Sequence, residues 1–147
     1  MNTPQPCWFC SDDRAGDGPP PGGWILQDTT WRAGHAPASF GPAGTVILQT
    51  RRHVRDQADF DAAELAGIGP VTARLIRAIT AATGCARVYQ LATMAGYPHF
   101  HVWLAPWWPG RGDRVGVSYL AALDDDATTE DAATRAAAQI AVRLSGG

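Results

Sequence analysis

The chain predicts an α+β domain built on an antiparallel sheet, and three observations carry that prediction. Short β-branched or aromatic runs follow one another in hairpin order. Two longer stretches repeat apolar residues at helical spacing, one mid-chain and one at the C-terminal end. At 147 residues the whole reads as one domain, large enough to bury a core.

Residues Ser11 to Gly23 are full of chain breakers and read as a loop. The first strand is expected at Trp24–Gln27. Residues Thr29–Gly44, with two prolines, read as irregular and place His35 in a surface loop. Thr45–Gln49 is a β-branched run expected as a central strand, followed by the basic turn Arg51-Arg52-His53-Val54-Arg55. Asp61 and Glu64 fit a capping box. Leu65, Ile68, Val71, Leu75, Ile76 and Ile79 then continue a helix to about Thr83, ending at Gly84, with Pro70 expected to kink it or delay its regular part. Strands are expected at Arg87–Ala92, His99–Ala105 and Arg114–Leu120. Thr128–Leu144 closes the chain as an Ala-rich helix with Ala133, Ala136, Ala137, Ile140 and Leu144 on one face.

Composition narrows the function classes. A formal net charge of −2 argues against a general nucleic-acid binder, which would show a basic stripe. No apolar run approaches the roughly 20 residues of a membrane span. Met1–Pro6 lacks a charged region followed by an apolar stretch, so no secretory signal is expected and the cytoplasm is the expected location. All twelve basic residues are arginine, which excludes lysine nucleophiles and Schiff bases.

The chemistry concentrates in Tyr97-Pro98-His99-Phe100-His101-Val102-Trp103-Leu104-Ala105-Pro106, where two of four histidines stand one residue apart. In an extended strand they share a face, with Trp103 next in the row. Cys7 and Cys10 have the spacing of a metal half-site, and His53 and His99 complete a tetrahedral Cys₂His₂ set for structural zinc. That would make residues 1–23 a zinc-binding arm and loop of the single domain 1–147, and leave His101 free. A shared metal on His99 and His101 is the variant reading. Cys85 is expected to be structural. Arg51 and Arg52 are candidates for phosphate contact, and Trp103, Trp107 and Trp108 for stacking on a base or for core packing.

In the order of these motifs the sequence resembles the histidine triad (HIT) superfamily: an N-terminal CxxC, a strand ending in Arg51-Arg52-His53, a helix, Arg87-Val88-Tyr89, then Pro98-His99-Phe100-His101 and Pro106. The resemblance implies a five-stranded antiparallel sheet per subunit, a homodimer, and nucleotides as ligands. Zinc-bearing bacterial members place their ligands at the positions of Cys7, Cys10, His53 and His99. The middle histidine of the triad, the nucleophile that forms a nucleotidyl-histidine, falls on His101. This chain departs at the third histidine, which is Trp103, and at Met94-Ala95-Gly96, where members carry polar phosphate-holding residues. The closest pattern is that of divergent bacterial HIT-like proteins with HxHxW in place of HxHxH. The function implied is phosphohydrolysis or nucleotidyl transfer at an α-phosphate. The alternatives are a non-catalytic nucleotide- or metabolite-binding module, or a specialised pathway enzyme with a non-nucleotide substrate.

Overall fold

The computed structural model describes residues 6–146, so Met1–Gln5, on which most of the leader reading rests, lie outside it. Five strands form one antiparallel sheet: β1 (Trp24–Gln27), β2 (Trp31–His35), β3 (Val46–Thr50), β4 (Arg87–Leu91) and β5 (His101–Trp107), in the order β1-β2-β3-β5-β4. Helices α1 (Ala62–Thr83) and α3 (Glu130–Ser145) cover one face, and a short helix α2 (Val117–Leu120) packs against the other.

The alternation of strand side chains sorts the two faces. Trp31, Ala33, Val46, Leu48, Val102 and Leu104 turn toward Val71, Leu75, Ala78 and Ile79 of α1 and Ile140 and Leu144 of α3, forming the main core. The opposite face carries Arg32, Gly34, Ile47, Gln49, His101, Trp103 and Ala105, set in rows by the register Arg32–Gln49–His101 and Gly34–Ile47–Trp103. That second face is also covered, which the strand sequences alone do not announce. Phe9, Arg14 and Pro20 of the N-terminal arm lie over its β2–β3 side, and Tyr119 and Leu123 lie over Ala105. Gly34 permits the arm's approach: a Cβ there would stand 2.6 Å from Pro20 and 3.1 Å from Arg14 Nη2.

Helix α1 begins and ends where its signals stand. The Asp61 carboxylate accepts from the Glu64 N–H while Glu64 accepts from the Asp61 N–H, both at 2.9 Å. Gly84 closes it in the left-handed region with φ +67°. Pro70 lies within an uninterrupted helix.

Three expectations need correction. Thr29–Gly44 is not all irregular: it contains β2, and His35 is completely buried at that strand's end. Its Nδ1–H donates to the Ala36 carbonyl at 2.7 Å and its Nε2 accepts the Gly44 N–H at 2.8 Å. Arg114–Leu120 is not a strand. β5 is already flanked by β3 and β4, so no slot remains beside it, and the segment turns at Gly116 (φ +57°) into α2. That turn seats Tyr119, whose hydroxyl donates to the Pro106 carbonyl at 2.6 Å, and leaves Val115 and Val117 exposed. Finally, β5 begins at His101, so His99 precedes the strand. Among the described residues no helix is long and apolar enough to cross a membrane.

Candidate metal centre and adjoining cavity

The turn after β3 and the approach to β5 bring two side chains, His53 and His99, to the turn that holds Cys7 and Cys10. The ligand atoms of Cys7, Cys10, His53 and His99 all lie within 4.8 Å of one another. His99 Nδ1 stands 3.5 Å from Cys7 Sγ, 3.4 Å from Cys10 Sγ and 3.2 Å from His53 Nδ1, while Cys10 Sγ stands 3.2 Å from His53 Nδ1. A tetrahedral zinc with its usual bond lengths separates a sulfur from a nitrogen by about 3.6 Å and two nitrogens by about 3.3 Å. The donor set therefore fits zinc.

The surroundings favour metal ligation too. His99 is fully buried and its Nε2–H donates to the Thr50 carbonyl at 2.8 Å, which fixes the tautomer and aims the Nδ1 lone pair at the cluster. Burial also holds its imidazole below the ordinary range, so it is neutral and ready to ligate. Withdrawal from solvent, followed by the adjacent Cys7, pushes the Cys10 thiol up to about 11. Two thiols so close together lose their protons most readily to a bound cation.

The two residues between the cysteines line a cavity beside the cluster. Phe9, almost fully buried, stacks on the His101 ring with centroids 4.2 Å apart and planes 20° apart, and its centroid lies 5.5 Å from that of the tilted His99 ring. Gln49 and Arg32 donate to the Phe9 carbonyl, which pins this hairpin to the sheet. The His101 Nδ1–H donates to the His99 carbonyl at 2.7 Å. Its Nε2 makes no hydrogen bond among the described residues. Burial lowers the His101 pKa, only partly offset by that carbonyl, so the ring is neutral near pH 7 with its lone pair on Nε2.

His101 opens on a cavity of about 220 Å³ lined chiefly by Trp8, Phe9, Phe40, Tyr97, Trp103 and Asp17. Trp103, the expected departure in the triad, thus stands in the cavity wall, edge-on to Phe40 at 6.2 Å. The two candidate arginines lie elsewhere. Arg52 is held by both Glu64 oxygens, at 3.0 and 2.8 Å, and Arg51 reaches Gln27 and the Asp28 carbonyl. Neither lines the cavity. Trp107 and Trp108 hydrogen-bond to the Arg114 and Thr83 carbonyls and also stand outside it.

Sequence reasoning missed Phe9, Trp8, Asp17, Phe40 and Tyr97 as cavity residues. One signal was present: aromatic residues between two metal ligands are carried wherever the ligands go. It also missed two buried arginines. Arg14 and Arg32 lie over the Trp24 ring at 5.5 and 4.3 Å, and Arg14 also lies over Trp8 at 4.5 Å. Burial, reinforced by Arg32, lowers the Arg14 pKa to about 10.

No family model matches the sequence, and no curated protein matches it. Solved structures do. A hypothetical histidine triad nucleotide-binding protein from Sulfolobus tokodaii superposes with a TM-score of 0.72 at 15% identity, over 95% of this chain and 93% of that one. A zinc-bound histidine triad family protein from Mycobacterium smegmatis gives 0.69 at 18%, over 95% and 94%. A HIT family member from Bacillus subtilis gives 0.61 at 22%, over 76% and 79%. The chain has the histidine triad fold. In the HIT fold the expected five-stranded antiparallel sheet is present, and the Cys₂His₂ cluster is compatible with the zinc that the mycobacterial relative's structure holds.

Proposed function

We propose that this HIT-fold protein binds a nucleotide or related phosphorylated molecule and acts on it at phosphorus through His101. The observation that carries the reading is the state of that imidazole. Nδ1–H is committed to the His99 carbonyl and Nε2 is unpaired, neutral and beside a cavity. A nucleophilic histidine needs this arrangement, because the bonded nitrogen holds the tautomer while the other attacks.

The chemistry balances in two steps. Nε2 forms a bond to phosphorus, and the bond from phosphorus to the leaving group breaks with its electron pair on that group, which takes a proton from solvent. Water then attacks phosphorus, the P–N bond breaks with its pair returning to Nε2, and the water's proton passes to solvent. With an acceptor in place of water the same sequence is a transfer.

Cys7, Cys10, His53 and His99 would hold the zinc in this reading. It supplies structure, tying the arm to the turn after β3 and to the entry of β5. His99 links the two halves of the site: its Nδ1 lies 3.4 Å from Cys10 Sγ in the cluster and would be a zinc ligand, and its carbonyl orients His101. Trp103 is assigned to substrate contact. We also assign the protein to the cytoplasm and to a homodimer, the latter checked by sedimentation equilibrium.

A second reading is favoured by one specific observation: the described cavity lining includes a carboxylate, Asp17, and no arginine. A non-nucleotide substrate, or binding without turnover, fits that lining. Turnover of nucleoside phosphoramidates, dinucleoside polyphosphates and nucleotide sugars by wild type and His101→Ala tests the first reading. Activity lost in the variant supports it, and no turnover by a folded, zinc-loaded protein contradicts it.

A further inference from the structure

The cavity beside His101 has a composition that selects a charge type. Five aromatic rings, from Trp8, Phe9, Phe40, Tyr97 and Trp103, line it, and its described lining holds one carboxylate, Asp17, and no arginine. Ring faces carry negative potential and attract cations, most strongly when water is displaced. Asp17 is exposed at the rim, and one of its oxygens is fixed by the Trp8 indole N–H at 2.8 Å. Arg14 already lies over the Trp8 ring at 4.5 Å, with its Nη1 on the His35 carbonyl and within electrostatic reach of Asp17; it is not part of the lining, so a ligand cation would share Asp17 with it.

Two further observations point the same way. Phe40 and Tyr97 are 47% and 51% exposed, so both rings stand in water at the mouth rather than filling the core. Across the Phe40–Trp103 pair a second cavity of about 280 Å³, lined by Leu91, Leu120, Ala121, Leu123 and Asp124, again includes a carboxylate and no cation. At about 220 Å³ the first cavity is smaller than the ~300–1,000 Å³ usual for a whole ligand. It suits one head group.

We propose that this cavity is an organic-cation site: Trp8, Phe9, Phe40, Tyr97 and Trp103 box an ammonium group of the ligand, with Asp17 as its counter-charge. The inference rests on the reading that this cavity is the ligand site and specifies the substrate class. The molecule is a phosphoryl compound whose second substituent bears an alkylammonium group. The ammonium lies among the rings, and the anionic phosphorus centre stays at the His101 Nε2 side, outside the box.

The test uses the full-length, zinc-loaded protein with choline, tetramethylammonium and the uncharged carbon isostere 3,3-dimethylbutan-1-ol, followed by tryptophan fluorescence and indole N–H NMR shifts. The expected result is saturable binding of both cations, with choline about tenfold tighter than the isostere, a ratio within reach of a desolvated cation–π box. Asp17→Asn, which keeps an acceptor for Trp8 at an exposed position, weakens the cations and not the isostere. Trp103→Leu weakens the cations. Equal binding of choline and its isostere overturns the proposal, as does no saturable binding of either cation. His101→Ala separates the two claims. Choline binding that survives in a variant without phosphoryl chemistry, when wild type also turns over no phosphorylated compound, leaves the box standing and removes the nucleophile.

Discussion

Removing the metal is expected to lower the melting temperature by about as much as the linkage arithmetic allows. Four ligand atoms from three distant parts of the chain converge within 4.8 Å, so the native chain presents a formed site and the unfolded chain does not. At free zinc a hundredfold above its dissociation constant, linkage contributes about 2.7 kcal/mol. For 147 residues at about 2.1 cal/mol/K each, the unfolding entropy is about 310 cal/mol/K, and the shift is therefore about 9 °C. Scanning calorimetry with zinc and then with a chelator measures it. Cys10→Ser should reproduce the chelated value without chelator. Cys85→Ser should keep its response to zinc, because Cys85 is buried near Thr80 and is not in the cluster. A melting temperature indifferent to chelation, or a zinc response lost with Cys85, would show that the Cys7–Cys10–His53–His99 cluster holds no stabilising metal.

Three further outcomes are expected. Gly34→Ala drives a Cβ into Pro20 at 2.6 Å, so the arm must lift, at about 1–3 kcal/mol, and limited proteolysis within residues 6–23 should speed up while the sheet stays protected. His35 has its folded pKa pushed below 6.5 chiefly by burial, so its contribution is complete above about pH 6.5 and is lost as pH falls through the lowered folded value. Denaturant titrations of wild type and His35→Gln should converge in that acid window, and parallel curves would show that His35 does not titrate on unfolding. Trp103→His should change both ligand affinity and turnover. If neither moves, Trp103 has no part in the site, and if activity appears where wild type has none, the natural protein is a binder.

The sequence made α1 legible because its signals are local: a carboxylate at Asp61, Glu64 three residues on, an apolar stripe and Gly84. The clustering of Cys7, Cys10, His53 and His99 was legible as a candidate because side-chain chemistry restricts what two cysteines and two histidines can do together. β2 was hidden for a physical reason. Trp31-Arg32-Ala33-Gly34-His35 shows no apolar alternation, because both of its faces are covered and the arm side is stabilised by arginines stacked on Trp24 rather than by aliphatic contact. Arg114–Leu120 misled in the opposite sense, since alternating valines suggest a strand while β3 and β4 already occupy both sides of β5, the strand it follows. The cavity was illegible because its walls come from the arm, the loop holding Phe40, Tyr97 and β5, and no local period reports such a meeting. His101 was legible as a candidate by spacing, whereas its orienting partner, the carbonyl of His99, needed three dimensions.

The most direct measurement is single-turnover reaction of the zinc-loaded protein with a nucleoside phosphoramidate, read by intact-protein mass and by release of the amine. The expected result is a transient nucleotidyl adduct that maps to His101 and is absent from His101→Ala. A folded, zinc-loaded wild type that forms no adduct and releases no amine, across phosphoramidates, dinucleoside polyphosphates and nucleotide sugars, would contradict nucleophilic action by His101.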